Sequence, residues 1–407
     1  MKCRHCGSYK QTRFLDLGFT PPSNAYLTED DLSKPEKYYP LRLNVCHNCW
    51  LVQTEDYADE KDLFDSEYAY FSSTSKSWLA HAERFSRDAI SRFELNQASL
   101  VVEVASNDGY LLKNFIAAGI PCFGIEPTLS TATAAEKLTI PVIKEFFSEA
   151  LGTRLKSGDQ NADLIIGNNV FAHVPDVNDF TKGLKALLKP EGCITLEFPH
   201  LMRLLEFNQF DTVYHEHFSY YSLYTVCRIF EAAGLRVWDV DELNTHGGSL
   251  RIYGCHEESK RTNNKSVEIL LSIETELGLQ NIETYSSFQP KADRIKDDLL
   301  IFLLEAKRSG KKVAAYGAAA KGNTILNYAG VKSDLLPFIC DAAPSKQNKF
   351  MPGSHIPILP PAVLEEKRPD YLLILPWNLT AEIRQQNKML ATLGTRFITA
   401  IPNLEIS

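Results

Sequence analysis

The chain has 407 residues, which is too long for one compact core, so we expect two or three domains. Its net charge of −8 argues against nucleic-acid binding, because nucleic-acid-binding proteins favour a basic surface. No apolar run is long enough to span a bilayer, and no signal-peptide layout follows Met1. Nine cysteines, an odd number, fit a reduced compartment, so we expect a cytoplasmic protein.

Two cysteine pairs mark the first 60 residues, which have little helical periodicity. Paired thiolates on two tight turns can converge tetrahedrally on one zinc ion, and four thiolates leave no open position for substrate. We therefore predict a structural zinc site in a small domain of residues 1–60, although His5 and His47 are alternative ligands. The predicted ligands are Cys3, Cys6, Cys46 and Cys49.

The next part of the chain, residues 61–258, alternates between strand and helix patterns. Residues 62–93 have helical spacing, and residues 98–127 read as a strand–helix–strand unit. A strand is predicted at 162–170, a helix over 176–192 closed by Pro190 and Gly192, and a strand at 193–200. A helix capped by Ser222 and two strands within 235–255 follow. The pattern predicts an α/β fold.

Residues 259–407 begin with mostly helical sequence and continue as a second α/β unit. The stretch KKVAAYGAAAKGNTILNYAG is a fresh strand–turn–helix, and LLPFICD and DYLLILPW supply later strands. Small residues at 317–320 let backbone N–H groups approach a phosphate at a helix start. We expect this unit to hold the diphosphate of a nucleotide substrate, through Lys321, Asn323 and Lys346. A purely structural turn is the alternative.

The first α/β turn indicates which cofactor is used. A dinucleotide-binding turn requires G-x-G-x-x-G, but this turn has one glycine, and Asp108 would repel phosphate. An acid at the end of the next strand can accept hydrogen bonds from a ribose diol. S-adenosylmethionine has a ribose and a cationic sulfonium but no phosphate, so it fits this turn. The predicted contacts are Glu103, Ser106, Asn107, Gly109, Tyr110, Glu126 and Pro127.

A later strand adds polar residues at the same edge of the sheet. Asn168 and Asn169 end this strand, and strand ends line the cofactor cleft in open α/β sheets. We expect them to contact the cofactor, although they could be turn residues only.

Five motifs together resemble a known family. ASNDGYLL, NVFAHVPD, YHEHFSYYS, HGGSLR and GAAAKGNT are similar to the motifs of nucleotide-sugar C-methyltransferases that use S-adenosylmethionine. The resemblance covers essentially the whole chain, with both cysteine pairs present. It implies a zinc-binding domain, a class I Rossmann-like methyltransferase domain and a second Rossmann-like C-terminal domain. It leaves open the sugar, the nucleotide and the carbon that is methylated, with carbon 3 favoured over carbon 5.

The stretch DTVYHEHFSYYS carries the predicted chemistry. A C–H bond becomes nucleophilic only after a base removes the proton beside a carbonyl, and donors must stabilise the resulting oxyanion. We predict that His217 is the base and that Glu216 sets its tautomer or anchors the sugar. The resemblance implies further active-site residues, namely Tyr214, Tyr68 (with Tyr70 as the alternative) and His173, which is the alternative proton acceptor.

Other interpretations of this stretch and of the chain remain open at this point. His215 and His217 could belong to a metal site, which would need a third ligand. His246 and the glycines after it could shape the sugar pocket. The C-terminal unit could instead serve an NAD-dependent sugar oxidoreductase, and the whole chain could be a non-catalytic zinc-ribbon scaffold. We expect a monomer with no membrane partner.

Overall fold

The computed structural model describes residues 1–55 and 71–407. The strands of the described residues are β1 Gln11–Thr20, β2 Tyr39–Cys46, β3 Val52–Thr54, β4 Val101–Val104, β5 Cys122–Ile125, β6 Val142–Ile143, β7 Ala162–Asn168, β8 Leu188–Pro199, β9 Ser219–Tyr220, β10 Leu235–Leu243, β11 Ser249–His256, β12 Val313–Tyr316, β13 Ile339–Cys340, β14 Ile358–Leu359, β15 Tyr371–Ile374, β16 Arg396–Thr399 and β17 Glu405–Ile406. The predicted domain boundary at residue 60 lies outside these residues.

The α-helices of the same residues are α1 Lys76–Arg92, α2 Leu112–Ala117, α3 Leu129–Glu136, α4 Glu149–Ser157, α5 Val177–Leu187, α6 Leu201–Glu206, α7 Leu223–Ala232, α8 Lys265–Glu276, α9 Ile282–Ser286, α10 Phe288–Arg308, α11 Ala320–Tyr328, α12 Val363–Lys367, α13 Thr380–Gln386 and α14 Lys388–Thr392. Within the described ranges, none of them combines the length and the apolar character needed to cross a membrane.

The N-terminal sheet has four strands in the order β1-β2-β3-β9. Its first three strands come from the cysteine-bearing region, but β9 comes from the distant stretch that carries the predicted chemistry. Tyr220 of β9 pairs with Val52 of β3. The N-terminal unit and the predicted catalytic stretch are therefore joined by backbone hydrogen bonds.

The middle sheet has seven strands in the order β10-β11-β8-β7-β4-β5-β6. Strand β4 is buried along its whole length, as expected of an apolar run with parallel neighbours on both sides. The two strands predicted within residues 235–255 are β10 and β11, and they pair antiparallel at one side of the sheet. The chain order reverses between β4 and β7, and ligands of open α/β sheets bind at such a switch point.

Two helix boundaries can be compared with those predicted from the sequence. Helix α7 begins after Ser222, whose hydroxyl accepts the N–H of Thr225, as predicted. Helix α5 ends at Leu187, and Pro190 and Gly192 already belong to β8. The prediction of a helix up to residue 192 was wrong there, because pairing with β7 starts at Leu188 and decides the conformation of this short stretch.

The C-terminal sheet has six strands in the order β14-β13-β12-β15-β16-β17, all parallel except β17. The long helix α10 leads into it and also covers the N-terminal sheet. Phe14 of β1 packs against Tyr285 and Phe288, with ring centroids 5.1 and 6.0 Å apart. One apolar cluster thus runs from the N-terminal sheet through α10 into the C-terminal sheet.

Candidate active site

The four predicted zinc ligands converge in the N-terminal unit. The sulfurs of Cys3, Cys6, Cys46 and Cys49 all lie within 4.8 Å of one another. The closest pairs, Cys3 with Cys49 and Cys6 with Cys46, are 3.4 and 3.5 Å apart. Zinc–thiolate bonds of about 2.3 Å require sulfurs roughly 3.8 Å apart, so the four side chains fit a tetrahedral zinc site.

The two histidines near these cysteines have other partners. The Nδ1 of His5 lies 2.8 Å from the side-chain oxygen of Asn178, and Nε2 of His47 lies 2.7 Å from the hydroxyl of Thr12. Among the described residues, the four-cysteine group is also the one place where three or more histidine, cysteine or acidic ligand atoms gather this closely. The four-thiolate set is therefore the better zinc site, and within the part of the chain that the structure describes residues 215–217 do not gather the ligands of a second one.

The turn after β4 has an unusual backbone. Ala105, Asn107 and Gly109 all adopt positive φ angles, of 56°, 49° and 77°. A side chain at Gly109 would come within 2.5 Å of Ile140, so this position also needs the absence of a Cβ. The turn brings backbone N–H groups close to the end of β5, which is the region predicted to hold the cofactor.

Glu126 lies at the end of β5 and organises this turn. Its carboxylate accepts the backbone N–H of Asn107 at 3.0 Å and of Thr128 at 2.9 Å. Burial raises the pKa of Glu126, and these two hydrogen bonds oppose the shift. Glu103, inside β4, is buried as well, and burial raises its pKa well above the ordinary value, with a smaller opposing contribution from nearby Tyr110.

Asn107 and Asp108 of the turn also hold the segment before α1. The side-chain oxygen of Asn107 accepts the N–H of Ser72, and the carboxylate of Asp108 accepts the N–H of Ser73. Ser72 and Ser73 follow Phe71, which is the first described residue after 56–70. The predicted active-site residues Tyr68 and Tyr70 lie outside the described residues.

The 3₁₀ turn Phe210–Thr212 begins the stretch of the predicted base. The ring of His217 lies 4.0 Å from that of Tyr214 and 4.6 Å from that of His173, measured between centroids. The structure therefore brings these three predicted residues together. Nδ1 of His217 lies 3.2 Å from the backbone carbonyl of Thr212. A carbonyl can only accept, so Nδ1 carries the proton in neutral His217 and Nε2 is the basic nitrogen.

Burial keeps the histidines of this cluster neutral. It lowers the pKa of His217 well below the ordinary value, with a smaller contribution from neighbouring His173. It also lowers the pKa of His173 and of His246 to about 4. All three imidazoles are thus uncharged near pH 7, which is the state in which a histidine can accept a proton.

Glu216 is hydrogen-bonded to the N-terminal unit. One carboxylate oxygen accepts the amide N–H of Asn24 at 3.2 Å, and Glu216 is only 1% exposed. Burial raises its pKa to about 7. Thr212 thus sets the tautomer of His217. The carboxyl of Glu216 remains available to bind another group. Sequence reasoning missed Asn24 and Thr212, since neither has a motif of its own.

His246 approaches the site from the turn between β10 and β11. Its φ angle is 53°, and its Nε2 lies 3.1 Å from the side-chain nitrogen of Asn169. Its ring also contacts Trp78, with centroids 5.2 Å apart. His215 is directed elsewhere and packs edge-on against Tyr39, 5.8 Å away.

The predicted substrate residues of the C-terminal unit lie in two places. The ammonium of Lys321 donates to the side-chain oxygen of Asn378 at 2.8 Å and lies 4.6 Å from the ring centre of Trp377. Lys346 donates to the carbonyl of Ala318, beside the ring of Tyr26. Asn323 is fully buried, and its amide has no hydrogen-bond partner among the described residues.

Comparison with known proteins shows the family to which the chain belongs. A zinc binding domain model matches residues 3–64, a methyltransferase domain model residues 78–240, and a C-methyltransferase C-terminal domain model residues 244–402. The chain is 34% identical over 401 residues to the C-methyltransferase NovU of Streptomyces niveus, and the match covers 98% of this chain and 95% of NovU. The chain belongs to the C-methyltransferase family.

Other matches are shorter or weaker. Uncharacterized methyltransferase ML2584 of Mycobacterium leprae is 28% identical over 99 residues, which cover 24% of this chain and 36% of that protein. Magnesium protoporphyrin IX methyltransferase of Synechocystis PCC 6803 aligns at 12% identity with a TM-score of 0.37, over 50% of this chain and 100% of its own. That score is too low to support a conclusion about this chain.

This C-methyltransferase depends on S-adenosylmethionine and has a zinc-binding N-terminal unit, as the sequence predicted. The oxidoreductase and scaffold alternatives are therefore set aside. The structure offers a cradle that fits the cofactor. Beside Glu126, the hydroxyl of Ser106, both amide atoms of Asn168 and the side-chain oxygen of Asn169 are buried and have no hydrogen-bond partner among the described residues. Such atoms are costly unless a ligand pairs with them.

Proposed function

We propose that this C-methyltransferase methylates carbon 3, or alternatively carbon 5, of a nucleotide-linked keto-deoxysugar. The motif resemblance to nucleotide-sugar C-methyltransferases supports this substrate class. The buried histidine–tyrosine cluster supports the reaction, because carbon methylation needs a base beside an acidic C–H bond.

The observation that carries the proposal is the hydrogen bond from Nδ1 of His217 to the carbonyl of Thr212. It leaves the lone pair of Nε2 available to take the proton α to the substrate carbonyl. As the C–H bond breaks, its electron pair moves into the new carbon–carbon double bond and negative charge develops on the carbonyl oxygen. The resulting imidazolium is then held in place by the same carbonyl of Thr212.

Tyr214 is the proposed donor to that developing oxyanion. Its ring lies 4.0 Å from the ring of His217, so one substrate can place its carbonyl oxygen at Tyr214 and the neighbouring C–H bond at His217. Tyr68, which is one of the undescribed residues, is proposed as a second donor to the oxyanion. Glu216, whose pKa is about 7, is proposed to bind a hydroxyl or amino group of the sugar, and His173 is the alternative proton acceptor.

The cofactor is proposed to lie at the ends of β4, β5 and β7. Glu126 would accept hydrogen bonds from its ribose diol, and Asn168 and Asn169 would contact it from the other side of the turn. When bound, S-adenosylmethionine supplies an electrophilic methyl group to the substrate carbon. The chain's own task is to hold donor and acceptor in line and to exclude water.

The diphosphate of the substrate is proposed to bind the start of α11. Lys321 supplies a positive charge there, and Asn323 supplies a buried amide without a partner among the described residues. Lys346 adds a second charge from the neighbouring loop. Anions are also favoured at this end of a helix.

Proton exchange in heavy water tests the proposed base. We expect the wild-type enzyme to exchange one carbon-bound proton of a nucleoside-diphosphate 4-keto-deoxysugar, and the exchanging carbon identifies the methylation site. His217→Asn should lower exchange and methyl transfer by at least about 100-fold, because general-base catalysis contributes that much. His215→Asn is the matched control and should retain most activity.

Two outcomes would change the assignment. Wild-type exchange rates in His217→Asn, with loss in His173→Asn, would move the base to His173. The absence of exchange and of methyl transfer with every nucleotide-linked keto-deoxysugar tested would contradict the substrate class.

A further inference from the structure

The C-terminal unit is hydrogen-bonded to the turn that precedes the proposed base, His217. The indole N–H of Trp377 donates to the carboxylate of Asp211 at 2.7 Å. The hydroxyl of Thr324, on α11, donates to the backbone carbonyl of Val213 at 2.8 Å. Asp211 and Thr324 are each 1% exposed. Two hydrogen bonds from one unit thus end on either side of Thr212.

Thr212 is the residue whose carbonyl accepts the Nδ1 proton of His217. Its own hydroxyl donates to the carbonyl of Gln209 at 2.7 Å, which closes the 3₁₀ turn. The direction of the Thr212 carbonyl depends on the peptide planes of its two neighbours. These are the residues that Trp377 and Thr324 hold.

Trp377 also packs against the turn that contains His246. A Cβ at Gly247 would lie 2.2 Å from the ring of Trp377, so the two are in close contact. The amide of Gln209 donates to the carbonyl of Gly247 at 2.7 Å. Trp377 therefore links the 3₁₀ turn and the His246 turn from the side of the C-terminal unit.

We propose that Trp377 and Thr324 are positioning residues for His217, so that the C-terminal unit takes part in setting the state of the base as well as in binding substrate. This proposal rests on the proposed function only in taking His217 as the base. If Thr212 shifts, Nδ1 loses its acceptor and the proton can move to Nε2. That tautomer has no lone pair facing the substrate.

Matched variants separate positioning from general stability. Thr324→Val removes the hydroxyl at nearly constant volume, and Thr324→Ser restores it. Trp377→Phe removes the indole N–H. The control is Thr181→Val on α5, because Thr181 is equally buried and its hydroxyl donates to the carbonyl of Val177 at 2.7 Å. Thermal unfolding of all four variants checks that each one is folded.

Two readouts decide the proposal. In protein labelled with ¹⁵N-histidine, the imidazole nitrogen shifts of His217, assigned with His217→Asn, report which nitrogen carries the proton. Wild type should have a single Nδ1–H form, and Thr324→Val and Trp377→Phe should be mixtures. With a nucleoside-diphosphate 4-keto-deoxysugar, kcat should fall about tenfold in both variants with little change in KM, and Thr324→Ser should recover most of it.

The proposal is wrong if Thr324→Val and Trp377→Phe keep the wild-type nitrogen shifts, or if Thr181→Val loses as much activity as they do. A failure of the proposed function is distinguishable from this result. In that case the wild-type enzyme exchanges no proton in any keto-sugar, and the nitrogen shifts still report whether the C-terminal unit fixes the tautomer.

Discussion

The middle and C-terminal sheets share one hydrogen-bonding feature, but its charged surroundings differ between the two. In both, an acid follows the strand next to the first α/β turn and accepts a backbone N–H from that turn. Glu126 accepts the N–H of Asn107 at 3.0 Å, and Asp341 accepts the N–H of Ala318 at 2.7 Å. The acids differ in their surroundings. Lys346 lies 4.0 Å from Asp341, whereas the partners of Glu126 are neutral N–H groups.

This difference indicates how one strand–turn–helix arrangement can serve opposite ligands. The middle turn, with Glu103, Asp108 and Glu126 nearby, suits a ribose and a cationic sulfonium. The C-terminal turn is accompanied by Lys321 and Lys346, and a diphosphate is the ligand proposed for it. The charges around the two turns differ, so removing the acid of one turn should affect the ligand of that turn only.

The largest expected effect is on cofactor affinity. Glu126→Ala removes the proposed ribose acceptor and should weaken S-adenosylmethionine binding by about 100-fold, since a hydrogen bond to a charged group contributes about 1.5–3 kcal/mol. Asp341→Asn, at the corresponding position, should leave that affinity within about twofold of wild type, within the precision of such comparisons. Isothermal titration of both variants measures this. Equal losses in the two would contradict the division between the turns.

Glu216 is a further buried acid of the middle unit whose partner is a neutral amide, and it predicts a pH effect on stability. Its pKa rises from an ordinary 4.5 to about 7 on folding. A raised carboxyl pKa stabilises the fold below about pH 4.5, and this contribution is lost as the pH rises through about 7. Relative to Glu216→Gln, the wild type should therefore lose about 2–3 kcal/mol of unfolding free energy between pH 4.5 and 8.

Urea unfolding of wild type and Glu216→Gln at both pH values measures this difference. At pH 4.5 the Glu216 side chain of the folded wild type is mostly neutral, like the glutamine of Glu216→Gln. The comparison at this pH is therefore the internal control. A stability difference that is the same at both pH values would contradict a raised pKa of Glu216.

The smallest effects concern the backbone of the two turns. Gly317 has a φ angle of 89°, and a Cβ there would lie 2.4 Å from Pro376. Gly317→Ala should cost about 2 kcal/mol through clash and strain. Ala105, in the middle turn, already bears the strain of a φ angle of 56°. Ala105→Gly should stabilise by about 0.5–1 kcal/mol, because glycine removes that strain at some entropic cost. Thermal unfolding of both checks the opposite signs.

Much of the fold could be predicted from local signals. The capped helix α7 and the strand pair β10–β11 follow from a serine cap, a terminal glycine and alternating residues. The end of α5 could not be predicted, because strand pairing with β7 overrides a helix-like pattern at Leu188. Strand β9 is two residues long, and only its partner β3, far away in the chain, makes it a strand.

The candidate site divides in the same way. The zinc ligands were predictable, because the ligands of each pair are only three residues apart and a knuckle turn brings them together. His217 was predictable as a titratable residue in an unusual polar motif. The partners of that motif were not, since Asn24 is 192 residues from Glu216 and Trp377 is 166 residues from Asp211.

The sequence alone determined the class of the protein, its cofactor and its zinc ligands, and it singled out the cluster of histidines and tyrosines that is proposed to do the chemistry. Each of these depends on residue types at short spacing, where chain geometry leaves few alternatives. Tertiary structure decided that Nδ1 of His217 faces Thr212, that Glu216 faces Asn24, and that the C-terminal unit holds the turn between them. Except for the local contact of His217 with Thr212, these contacts join residues more than 100 positions apart, and only the packing of the three sheets brings them within hydrogen-bonding distance.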